Sequence, residues 1–112
     1  MLLFDFESAL DRFMGEKDIL LEVLTPYLEN LNNLLEKLSS LKQPFDFDQL
    51  RQIAHSIKGS SLNLDIVPLG KAAEELEDLA YNRIEKGIQV KIDRVKDLAA
   101  QTESELQKYI TL

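Results

Sequence analysis

Residues 53–64 read IAHSIKGSSLNL and contain the chain's single histidine, His55, inside a run from Gln49 to Leu64 that carries no acidic residue. Wound as an α-helix at about 100° per residue, Leu50, Ile53, Ala54, Ile57, Ser61 and Leu64 gather into one stripe, and His55 falls about 150° from its centre. The stripe reads as a core face, so the imidazole points at water. Arg51, Lys58, Gly59 and Leu62 share its side of the helix, at offsets of i−4, i+3, i+4 and i+7.

Each of these residues has an ordinary reading. A lone histidine in a helical domain is most often structural, but a place opposite the apolar stripe removes the core version of that role. Gly59 argues against a plain surface, because glycine inside a helix costs about 1 kcal/mol relative to alanine. The stripe continues in phase through Ser61 and Leu64, so Gly59 reads as mid-helix rather than as a C-cap. There it leaves room for another protein's backbone to approach the ring. Lys58 alone is a solvated charge and Leu62 alone an exposed leucine. Beside His55 they become a cation next to a nucleophile and an apolar foothold for a partner.

The string AHSIKGSSLNL resembles the signature of histidine-containing phosphotransfer (HPt) domains of two-component phosphorelays, in which A-H-x-[LI]-K-G-[SA]-[SA] surrounds the phosphorylated histidine on a four-helix bundle. The upstream LDRFMGEKDILLEVLTPYLENLNNLLEKL resembles the same family's approach to its second helix, so the likeness covers nearly the whole chain. It implies His55 as the phospho-accepting residue, Lys58 as the charge-stabilising cation, and Gly59, Ser60 and Ser61 as the small residues of the motif. Arg51, Gly59 and Leu62 would form the docking surface. The family usually has glycine where Asp65 stands, and Pro68 follows soon after.

The totals narrow the classes. A chain of 112 residues suits one domain, taken as residues 1–112. It has no cysteine, hence no disulfide framework and no cysteine-ligated metal. The opening MLLFDFESAL lacks a basic n-region and a long apolar run, which predicts a cytoplasmic protein without a signal or membrane span. A net charge of −7 disfavours nucleic acid and anionic membranes as partners. The charge is uneven: residues 1–50 hold ten acids against four bases, while Gln49 to Leu64 hold two bases alone. The histidine thus sits in a positive island along the sequence.

In chain order, residues 5–14 read as a short amphipathic helix with Phe6, Leu10, Phe13 and Met14 inward, and GEK as the bend. From Lys17 to Leu41, Leu20, Leu24, Tyr27, Leu31, Leu34, Leu38 and Leu41 recur at steps of four and three. Pro26 should kink this helix without breaking it, since the leucine phase survives. Lys42 to Phe45 form a loop, after which Asp46 as N-cap, Gln49 at N3 and Phe45 facing Leu50 give the histidine helix a complete start signal. It should end at Asn63 or Leu64. Asp65 to Val67 make a tight connection, with Pro68 in the first turn of the next helix. That helix turns Leu69, Ala72, Ala73, Leu76, Leu79 and Ala80 inward, and Glu74, Glu75, Glu77 and Asp78 read as a solvated face. Gly87 closes a loop before a last helix carrying Ile88, Ile92, Val95, Ala99, Thr102, Leu106 and Tyr109. The predicted fold is all-α: an up-and-down antiparallel four-helix bundle with a short N-terminal capping helix.

No Gly-rich phosphate loop, HExxH pair or second histidine is present, and one histidine among scattered carboxylates makes a poor transition-metal site. The chain reads as a stoichiometric phosphoryl carrier, not a self-sufficient enzyme. Phosphoryl transfer needs an in-line nucleophile and charge stabilisation; an imidazole, with an ordinary pKa of about 6.5, offers a free lone pair near pH 7. The resemblance implies a monomer with no cofactor of its own. Its partners would be response-regulator receiver domains, a hybrid histidine kinase, or both, the receiver bringing Mg²⁺ and a phospho-aspartate. Two other roles fit the same residues: the substrate (P1-like) module of a chemotaxis-type histidine kinase, and a helical adaptor that binds receivers without being phosphorylated. Gln52 is the sequence's candidate, by proximity alone, for the group that orients the second ring nitrogen.

Overall fold

The computed structural model describes residues 2–111 and contains five helices in the order α1 (Phe6–Arg12), α2 (Lys17–Ser40), α3 (Phe47–Leu62), α4 (Val67–Tyr81) and α5 (Ile88–Ile110). No strand occurs among the described residues. The helices begin where local chemistry starts them: the Asp5 and Asp46 carboxylates accept the backbone N–H of Ser8 and Gln49, and Pro68 stands in the first turn of α4. Gly87, at φ 87°, takes the left-handed turn that launches α5. α2 runs through Pro26 unbroken.

Helices α2 to α5 close a ring in which α2 touches α3 and α5, and α4 touches the same two, while α1 packs on α2. Short connections make successive helices antiparallel. The resulting bundle measures 44 × 22 × 21 Å. Its axis is filled by the predicted stripes: Leu20, Leu24, Leu31 and Leu38 of α2, Leu50 and Ile57 of α3, Leu69 and Leu76 of α4, and Ile88, Val95 and Leu106 of α5 are all fully buried. Met14 departs from expectation. It is 91 % exposed, because α1 ends at Arg12 and the chain reverses through positive φ at Met14 (56°) and Gly15 (79°). The inward residue of α1 is Ala9, with Phe6, Leu10 and Phe13 half-buried beside it.

The turn from α3 to α4 explains the departure at position 65. Asp65 adopts φ 57°, the left-handed conformation that glycine takes freely and aspartate tolerates better than most residues. Its carboxylate is held by Arg12, Nε to Oδ2 at 2.7 Å and Nη2 to Oδ1 at 3.3 Å, and its carbonyl accepts the Asp5 N–H. The aspartate therefore keeps a glycine-like turn and also ties α1 to the bundle.

Helices α3 and α4 meet closely because position 70 is glycine. A Cβ there would lie 2.5 Å from Cδ2 and 2.7 Å from Cγ of Leu62, so Leu62 fills the notch that Gly70 leaves. Seven residues back along α3 and seven onward along α4, His55 meets Glu77. Four more each way, Arg51 lies over Tyr81. One antiparallel register sets all three contacts.

Candidate functional site

The start of α3 at Asp46 and its unbroken run past Gly59 turn His55 outward, with 66 % of its side chain exposed. Its Nδ1 lies 2.6 Å from Glu77 Oε2, and the other carboxylate oxygen, Oε1, lies 2.6 Å from Lys58 Nζ. Glu77 is mostly buried between them, at 16 % exposure. A carboxylate can only accept, so Nδ1 carries a proton, and in the neutral ring Nε2 is the nitrogen that keeps its lone pair. The geometry presents an oriented imidazole whose free nitrogen is the one Glu77 does not touch.

This corrects two sequence readings. Glu77 was expected on a solvated face, and Gln52 was the candidate for the second ring nitrogen; Glu77 takes that role instead, one turn along α4 from Ala73. The positive island is also not an island in space, since α4 lays Glu77 onto it and neutralises Lys58. A signal for Glu77 existed in the stripe Gly70, Ala73, Glu77, Tyr81, whose steps of three and four put the carboxylate in line with two small residues that mark a close helix contact.

Partial burial works to raise the Glu77 carboxyl, but hydrogen bonds from Lys58 and His55, with the charges behind them, outweigh it and hold the group below the ordinary glutamate range. Lys58 lies above its ordinary value, chiefly through its hydrogen bond to Glu77. A carboxyl lowered in the folded state contributes stability that is complete above the unfolded pKa of about 4.3 and is lost as pH falls through its own lower value. Urea unfolding at pH 7 and pH 3 should accordingly show Glu77→Gln losing less stability over that interval than the wild type. Equal losses would leave the carboxyl uncoupled from the α3–α4 seam.

The remaining motif residues divide by burial. A Cβ at Gly59 would meet nothing within 4 Å, so that position is open. Ser60 Oγ donates back to the Ser56 carbonyl at 2.9 Å. Ser61 is fully buried and shares a 2.8 Å hydrogen bond with Tyr27, whose hydroxyl burial pushes up to about 12 against the opposing effect of that bond. Its motif role is thus packing: it gives the Tyr27 hydroxyl a partner whose loss would cost about 1–3 kcal/mol. Leu62 is half-buried against Gly70 rather than freely exposed. The large exposed side chain beside the site is Tyr81, at 67 % exposure.

Arg51, Gln52, His55, Glu77, Asp78 and Tyr81 line an open hollow of about 520 Å³. Among the described residues, no group of three or more His, Cys, Asp or Glu side chains is placed to hold a metal ion. No helix among the described residues is long and apolar enough to cross a membrane.

In comparison with known protein families, the model of the Hpt domain family matches residues 18–108, from the first turn of α2 to the last turn of α5. No curated protein and no solved structure matches the chain at a significant level.

Proposed function

The chain belongs to the Hpt domain family, with the phosphotransfer role in two-component signalling that this membership carries, and on that premise we propose that His55 is the residue that carries the phosphoryl group. The observation that supports this most directly is the 2.6 Å bond between Nδ1 and Glu77 on a side chain otherwise open to solvent. In the proposed step, the Nε2 lone pair attacks the phosphorus of a receiver's aspartyl phosphate. The N–P bond forms as the acyl O–P bond breaks, and the electron pair leaves with the receiver's carboxylate. No proton moves. The ring, still protonated at Nδ1, gains a positive charge that the Glu77 carboxylate faces directly, so the charge is stabilised where it develops. Glu77 is a positioning residue and Lys58 steadies it from the other side, one turn from the reacting nitrogen. Mg²⁺ belongs to the receiver, and return of the group to a second receiver is the reverse of the same step.

The chain is then a carrier whose catalytic machinery is completed by its visitor. Gly59 leaves the visitor's backbone free to approach, and such encounters are typically small and short-lived. The test is direct. A receiver domain labelled on its aspartate, mixed with this chain and Mg²⁺, should pass the label to it as an acid-labile, alkali-stable phosphoramidate. Binding without transfer, or an acid-stable product, would overturn the proposal and favour a receiver-binding adaptor.

A further inference from the structure

A phosphoryl group on Nε2 adds a dianion on the outer side of α3, and that charge needs a partner. Of the two cations on α3, Lys58 is already bonded to Glu77 at 2.6 Å, and Arg51 makes no ion pair with any described residue. Arg83 is paired with Asp48, and Lys37 of α2, which makes no ion pair with any described residue, lines a separate hollow with Gln52 and Ser56 rather than the one that holds His55. Arg51 instead rests with its guanidinium 5.9 Å from the centroid of the Tyr81 ring. It stands one turn before His55, and both residues line the 520 Å³ hollow, with Gln52 and Tyr81 as further walls.

Resting on the reading of His55 as the phosphorylated residue, we propose that Arg51 is the clasp for the phosphoryl group, leaving Tyr81 to pair with it once the group is in place. An exposed contact between a guanidinium and an aromatic ring is weak, whereas a guanidinium fork on phosphate oxygens forms short, charge-assisted, paired hydrogen bonds. The exchange is therefore favourable, and Tyr81 serves as the parking place that keeps the cation near but unpaired. The charges around the hollow agree with this. From α4, Glu77 is balanced by Lys58 and by the ring, and the Asp78 carboxylate opposes an incoming dianion. From α3, Arg51 is the cation left to offset it. Sequence spacing had put Arg51 on a docking surface; its free charge beside the nucleophile gives it a more specific task.

The experiment uses the whole chain and phosphoramidate, a small phosphodonor that needs no receiver. Nε2 attacks the phosphorus of the zwitterionic donor, whose nitrogen already carries three hydrogens, and as the N–P bond to the ring forms the donor's P–N bond breaks and its electron pair leaves with that nitrogen as ammonia. The ³¹P resonance of the product is then followed against pH. A cation beside the group favours its fully ionised form, so Arg51→Gln should move the phosphoryl titration upward by about 0.5–1 unit, with Arg51→Lys in between. Tyr81→Ala, which frees Arg51 from its resting place, should leave the midpoint at or below that of the wild type. Coincident curves for the wild type and Arg51→Gln would overturn the clasp. So would an upward shift in Tyr81→Ala equal to that of Arg51→Gln, because the shape of the hollow would then matter and the charge would not. A wild-type chain that yields no phosphohistidine signal, or a His55→Gln variant that keeps it, would instead overturn the assignment of His55 itself.

Discussion

A His55→Gln variant takes no label from a phosphorylated receiver, while its helical content and urea midpoint stay close to those of the wild type. Loss is complete because the chain has one histidine, and glutamine offers an amide with no nucleophilic lone pair. Folding is spared because the ring is 66 % exposed and fills no part of the core, and substitutions at such positions usually change stability by about 0.5 kcal/mol or less. Transfer is read by autoradiography of the acid-labile product and stability by circular dichroism of the same samples. A variant that still accepts label would refute the assignment, and one that unfolds would show that His55 holds the bundle together.

Glu77→Ala should slow transfer by about ten- to a hundredfold, the equivalent of a lost hydrogen bond to a charged group at about 1.5–3 kcal/mol. Two losses contribute. The ring no longer has a partner that fixes the proton on Nδ1, and the positive charge that forms on it during attack is no longer compensated. Glu77→Gln keeps an acceptor but not the charge, so it should fall between alanine and the wild type. The ¹⁵N spectrum of His55 separates this role from plain packing. In the wild type Nδ1 carries the proton, and in Glu77→Ala the proton should redistribute towards Nε2. An unchanged tautomer together with an unchanged rate would remove Glu77 from the mechanism.

The parts of the fold that rest on one helix at a time were legible in the sequence. The leucine steps of α2, the Asp46 cap and the phase of α3 through Gly59 each depend on neighbours within two turns, and all of them appear in the structure. His55 was placed outward by the same local argument. What was not legible depends on how two helices meet. Glu77 lies in an acidic run that looks solvated on its own helix, and only the close α3–α4 contact allowed by Gly70 brings it to the ring. The same contact takes Leu62 partly out of solvent and neutralises Lys58, so the charge map drawn along the chain differs from the one in space. Met14 was misplaced for a smaller reason: the reversal after Arg12 ends the helical phase two residues before the pattern of apolar residues suggests.

With Leu62 keyed into the gap over Gly70, any sliding of α3 along α4 drives that side chain against backbone. The His55 ring thus rides on two interlocked rods rather than on a loop. Under the proposed transfer, a visiting receiver would meet a stiff target, and whatever hinge or lid movement brings the two reacting atoms into line would be supplied from the receiver's side.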